Sequence, residues 1–177
     1  MKRILLAFIV CVTFCYYLTA QIQAPFGISL PISFTDADSI LQSQGFVKKE
    51  QEHLTYLPGL IAYVIMYKSE KALIILNGTP ETKTIYSEAV SYLGEGDRKY
   101  YFKKILDENS NKYGKPAKYT VDESSISSSY EAIWFVDNGE ININGWLDTY
   151  SLSHDICKKE QPKGIPLKEN GERLKCY

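Results

Sequence analysis

The sequence predicts an α+β fold, a mainly antiparallel sheet with two helices packed on one face, and three observations carry that expectation. Apolar residues alternate with polar ones through most of the chain, as in Phe26-Gly-Ile-Ser-Leu-Pro-Ile-Ser-Phe34, the period of a half-buried strand. Two segments, after Thr35 and after Asp97, change to three- and four-residue steps and end at glycine, which is helical punctuation. Of the 14 tyrosines only Tyr16 and Tyr17 fall in the first 20 residues; the others favour strands with one wet edge or face over a helical bundle.

The chain opens with an address. Lys2 and Arg3 precede an apolar run from Ile4 to Leu18, and Ala20 offers a small residue for cleavage before Gln21. That run is short of the ~20 residues that span a bilayer, so 1–20 reads as a secretory signal peptide and the mature protein as periplasmic or extracellular, with no membrane span after cleavage. Residues 21–157 then form a single domain, and 158–177 a C-terminal tail. Cys11 and Cys15 leave with the signal; Val10 and Phe14 before them are too large for a lipid-attachment motif. Cys157 and Cys176 remain, and an even pair in an exported chain reads as a disulfide. Closing a loop of about 20 residues, it contributes roughly 3 kcal/mol in the chain-entropy account.

Taken in order, Phe26 to Phe34 is a strand, with Pro31 at an edge or end. Thr35 and Asp38 have capping-box spacing for a short helix with Ala37, Ile40 and Leu41 on its apolar stripe, stopped by Gly45. Val47 to Leu57, Leu60 to Tyr67 and Ala72 to Leu76 follow as strands, the last closed by an Asn77-Gly78 turn. Thr82 to Leu93 is a further strand. Asp97 caps a second helix to Tyr113, with Arg98, Tyr101, Phe102, Ile105, Leu106, Asn109 and Tyr113 on one stripe; Gly114 and Pro116 end it. Tyr119 to Val121 and a serine-rich loop lead to a hairpin at Asn138-Gly139, the favoured two-residue turn. Asp137 opposite Glu140 sets Val136 against Ile141, Trp134 against Ile143, Ala132 against Gly145 and Tyr130 against Leu147. Ile133 and Phe135 then share the reverse face with Asn144, Asn142 and Trp146, the last opposite Glu131. Tyr150, Leu152, His154 and Ile156 make a last strand. This order divides into two β-α-β-β-β halves, without sequence identity between them.

Charge and motif narrow the function classes. The chain has 20 basic and 21 acidic residues, and loses Lys2 and Arg3 on export, so nothing favours nucleic acid or an anionic membrane surface. Catalysis needs converging groups. His53 lies amid lysines and glutamates as on a solvated strand edge; alternation sends Asp155 to the face opposite His154. Ser124 to Ser129 lack a nucleophile-elbow frame. Asp36-Ala37-Asp38 is explained by a helix start, and the Asp137 to Glu140 run fails calcium-loop spacing at Gly139 and Ile141. Asn77-Gly78-Thr79 matches a glycosylation acceptor but reads first as a turn. Tyr100 and Lys104 are simply one helical turn apart. The sequence therefore supplies no catalytic set, no metal site and no cofactor motif.

What folding alone leaves unexplained is the two-sided apolarity of Leu60 to Tyr67. Ile61, Tyr63, Ile65 and Tyr67 point one way, and Leu60, Ala62, Val64 and Met66 the other; Leu73 to Leu76 repeat the pattern. One face is buried by the helices. The other needs a cover: the tail through Ile165, Leu167 and Leu174, a protein partner or second copy, or a ligand. The residues expected on such an interaction face are Ile133, Phe135, Trp146, Tyr63 and Tyr67. The leading function is a non-enzymatic interaction module. A small-molecule or lipid carrier with a cavity between sheet and helices is the alternative, and a hydrolase with an unrecognised site a third.

A signal peptide followed by Gly27-Ile28-Ser29-Leu30-Pro31, a short helix, a strand block and Tyr113-Gly114-Lys115-Pro116 closing a second helix resembles uncharacterised secreted α+β proteins of Gram-negative bacteria. The helix-ending Gly-x-Pro is also similar to that of outer-membrane assembly lipoproteins of the BamE type, though the lipidated cysteine and paired N-terminal helices of that group are missing here. The resemblance implies a location outside the cytoplasm and carries no functional residue with it.

Overall fold

A computed structural model describes residues 21–49, 53–57, 60–93, 98–122, 129–144, 146–153 and 159. The signal segment, His154, Cys157, Cys176 and the apolar residues of the tail lie outside the described residues. The α+β class holds: two helices pack on one face of a large antiparallel sheet.

The elements are β1 (Ile22–Gln23), β2 (Ser29–Leu30), β3 (Ile32–Ser33), α1 (Phe34–Ser43), β4 (Val47–Lys48), β5 (His53–Leu57), β6 (Leu60–Lys68), β7 (Ala72–Gly78), β8 (Thr84–Tyr92), α2 (Arg98–Tyr113), β9 (Lys118–Asp122), β10 (Ser129–Val136), β11 (Gly139–Ile143) and β12 (Asp148–Leu152). The main sheet runs β4-β6-β7-β8-β12-β11-β10-β9, with β5 sharing the β6 edge and β3 pairing with the start of β8. Each helix is thus followed by an antiparallel meander, and the two meanders meet through their last strands. At that seam Glu88 pairs with Tyr150. The strand preceding α2, β8, pairs both with β7 of the first meander and with β12 of the second, as β3 before α1 pairs with β8.

Local chemistry explains where the elements begin and end. The cap of α1 is Ser33, whose Oγ accepts the Asp36 amide at 3.1 Å and donates to Asp36 Oδ2 at 2.6 Å, two residues before the expected Thr35–Asp38 pair. Asp38 is occupied elsewhere: Tyr67 donates its hydroxyl to Oδ1 at 2.6 Å and Gln42 its amide to Oδ2 at 2.9 Å. Gly45, at φ +83°, ends the helix in the left-handed region where glycine alone is free of a Cβ penalty. At the end of α2 the Gly114 carbonyl accepts the Trp134 indole N–H at 2.8 Å, fastening the helix terminus to the sheet.

Three expected strand features are revised. Phe26 to Phe34 is no single strand: a 3₁₀ turn at Pro25–Gly27 and the cis Leu30–Pro31 peptide break it. Asn77-Gly78 continues β7, and the turn falls on Thr79 to Lys83, where the Thr79 hydroxyl accepts the Thr84 amide at 2.9 Å. The hairpin turn sits on Asp137-Asn138, so Trp134 faces Ile141 and Ala132 faces Ile143. A Cβ on Gly139 would stand 2.1 Å from the Ser151 carbonyl oxygen and 2.6 Å from Ile22 Cδ1. Glycine is needed there for close approach of neighbouring chain segments, not for the turn. Because the slip is two residues, alternation keeps Trp134 on the core face.

That face is lined from one end to the other by Tyr63, Ile65, Tyr67, Ile74, Leu76, Tyr86, Val90, Ile141, Tyr150, Ala132 and Trp134, all buried. Ala37 and Leu41 of α1, Phe102 and Ile105 of α2, and Ile22, Ile28 and Leu30 of the N-terminal segment cover it. Tyr63 and Tyr67 therefore do not belong to an exposed face. They are themselves helix-side residues of β6: Tyr63 packs edge-on against Phe34 and Tyr67 bonds to Asp38.

Candidate functional site

The seam between the meanders carries the most unusual chemistry in the fold. Above it three elements converge. The N-terminal segment is held by β1–β2 pairing, by the Ala24 amide donating to the Ile28 carbonyl at 2.8 Å, and by the Gln23 amide donating to the Tyr113 hydroxyl at 3.1 Å. Phe26, at φ +58°, holds a left-handed backbone that is uncommon for an aromatic residue. Its ring packs against Phe46 at 5.0 Å and Tyr92 at 6.3 Å between centroids. On α2, Lys104, Ile105, Glu108, Asn109 and Lys112 recur at helical spacing and share one side. Tyr92 and Tyr150 come from β8 and β12. Together these residues enclose a cleft of about 390 Å³, within the size range of small-molecule sites.

Beneath the cleft is an unpaired acid. Glu88 is 0% exposed and neither carboxylate oxygen has a hydrogen-bond partner. Burial pushes its pKa well above the usual carboxylate value, because removing a lone carboxylate from water disfavours the ionised form. Burial thus favours the protonated, uncharged form of Glu88. Tyr92 and Tyr150 are also shifted upward, first by burial and then by neighbouring groups that include Asp148, Glu88 and Glu108. Asn109 lies close enough to the Tyr150 hydroxyl to offset part of the Tyr150 shift. Its Nδ2, however, completes no hydrogen bond in a side chain only 7% exposed. A buried donor without an acceptor costs about 1–3 kcal/mol.

The expected interaction residues disperse. Ile133 is half-buried and Phe135 is 70% exposed on the helix-free face, where Lys118 pairs with Glu131. Trp146, 59% exposed, lies in the β11–β12 connection, and not opposite Glu131. The Asn144 side chain accepts the amides of Trp146 and Leu147, both at 2.9 Å, ending β11 at Ile143. The Arg98 guanidinium at the start of α2 then covers the indole face. His53 is in β5. Among the described residues no group of three His, Cys, Asp or Glu side chains could hold a metal ion, and no helix is long and apolar enough to cross a membrane.

Sequence reasoning passed over Glu88 and Tyr92, and placed Tyr150 only in the last strand and Asn109 only on a helix stripe. The signal was present in β8: Tyr86, Glu88, Val90 and Tyr92 alternate on one face, and a carboxylate in that row belongs either to solvent or to a buried site. Comparison with protein-family models, curated proteins and solved structures finds no match to this chain.

Proposed function

We propose that this protein is an exported, non-enzymatic binding module that takes a small molecule in the cleft between α2, the N-terminal segment and the β8–β12 seam. The observation that carries this reading is the pairing of a tyrosine-lined cleft with an unpartnered, buried Asn109 amide on its wall. A bound acceptor would satisfy that donor and recover its desolvation cost. Thermal-shift screening of a small-molecule library against the protein and its Glu108→Trp variant tests it. Glu108 is exposed on the cleft side of α2, so tryptophan there blocks the mouth and leaves the core intact. Ligands that stabilise the parent and not the variant are expected; ligands that stabilise both equally would contradict the reading.

Export itself is part of the proposal. Cleavage after Ala20 should be seen by N-terminal sequencing of material from the native compartment, and an intact Met1 would contradict it. A Cys157–Cys176 bridge should show as a two-proton mass difference on reduction.

A second reading keeps a protein partner on the helix-free face, favoured by the exposure of Phe135 next to Ile133. Phe135→Ser should then leave the melting temperature unchanged and abolish association, whereas unchanged association would remove this reading.

A further inference from the structure

Resting on the cleft reading, we propose that the ligand is a small organic acid, a single carboxylate on an apolar body. The cleft offers donors where a head group would sit. Asn109 lines the cleft and its buried Nδ2 completes no hydrogen bond, and Lys104 and Lys112 stand on either side of it along α2. Neither lysine forms an ion pair among the described residues; Lys112 lies over the Tyr113 ring. Glu108 is the one carboxylate lining the cleft and sits on its exposed side, so two lysines against one acid leave a single positive charge. Arg98, the described arginine, is engaged with Trp146, so the cleft has no guanidinium fork of the kind that suits a phosphate dianion. Ala24, Pro25, Phe26 and Ile105 form the apolar wall against which a hydrocarbon or aromatic body packs. Glu88 does not line the cleft, and its burial disfavours the charged form.

The test is a matched set of three probes differing only in the head group: phenylacetate, phenylacetamide and the 2-phenylethylammonium ion. Each is titrated into isotopically labelled protein and followed at the Asn109 side-chain amide and at Tyr92 and Tyr150 by NMR. Phenylacetate should move these signals and bind at least about tenfold more tightly than either analogue. The Lys104→Gln/Lys112→Gln double variant, altered only at exposed positions, should lose that preference. Tighter binding of the ammonium ion, or a preference indifferent to the two lysines, overturns the organic-acid assignment and leaves the cleft reading standing. Silence at Asn109 from all three overturns the assignment too, and the Glu108→Trp comparison decides whether the cleft reading falls with it.

Discussion

Replacing Glu88 by glutamine removes one ionisable group from the centre of the sheet and alters little else in shape. Glu88 is fully buried, its carboxylate oxygens have no partner, and its pKa is raised well above the ordinary 4.5. Above that ordinary value the unfolded chain releases the proton while the folded protein keeps it, so folding must take a proton up. Stability contributed by Glu88 is therefore complete below about pH 4.5 and falls as pH rises, by about 1.4 kcal/mol per pH unit. The fall continues until the folded protein itself ionises at Glu88. Urea unfolding of the parent and of Glu88→Gln across a pH series isolates the effect, because other titrating groups cancel in the difference. The parent should lose ground to the variant steadily with rising pH. A pH-independent difference would show that Glu88 is ionised and compensated in the folded protein, which would refute an unpaired acid at the seam.

Other substitutions test the packing around it. Trp134→Ala should cost about 3–5 kcal/mol, since it empties a core site and leaves the Gly114 carbonyl without its donor; Trp146→Ala, exposed and stacked under Arg98, should cost about 1 kcal/mol or less. Equal losses in chemical denaturation would refute that contrast. Gly139→Ala should destabilise near the upper end of about 1–3 kcal/mol, because Ser151 and Ile22 already occupy the space; an unchanged melting temperature would contradict the close approach. Asn109→Leu should leave stability unchanged or raise it by about 1–2 kcal/mol while removing stabilisation by cleft ligands; a large loss of stability would mean that the amide is satisfied in the folded protein.

Fold class was legible in the sequence because it rests on periodicity, which burial enforces directly. The alternation of β6, the stripe of α2 through Phe102 and Ile105, and the side chosen by Trp134 all follow from which residues must leave water. Registers and turns were less legible. Asn138-Gly139 has the composition of a favoured turn, yet contact with Ser151 and Ile22, distant in sequence, requires Gly139 one place later, inside a strand. Ser33 and Thr35 are both good caps; the choice between them follows from Tyr67 claiming Asp38. The cleft was hidden for the same reason. Asn109 and Glu88 stand 21 positions apart on elements that meet only once β8 and β12 have paired, and Tyr150 arrives from still further along the chain. The expected interaction face scattered because Tyr63 and Tyr67 face the helices, and Asn144 ends β11 before Trp146 can join the sheet.

A crystal structure of the protein purified from its native compartment, without added ligand, tests the cleft most directly. Density for a small organic molecule is expected between Phe26, Tyr92 and α2, with an acceptor atom within hydrogen-bonding distance of Asn109 Nδ2. A cleft filled only by ordered water that satisfies both Asn109 and Glu88 would contradict it, since the unpartnered groups from which a ligand is inferred would then be partnered by solvent.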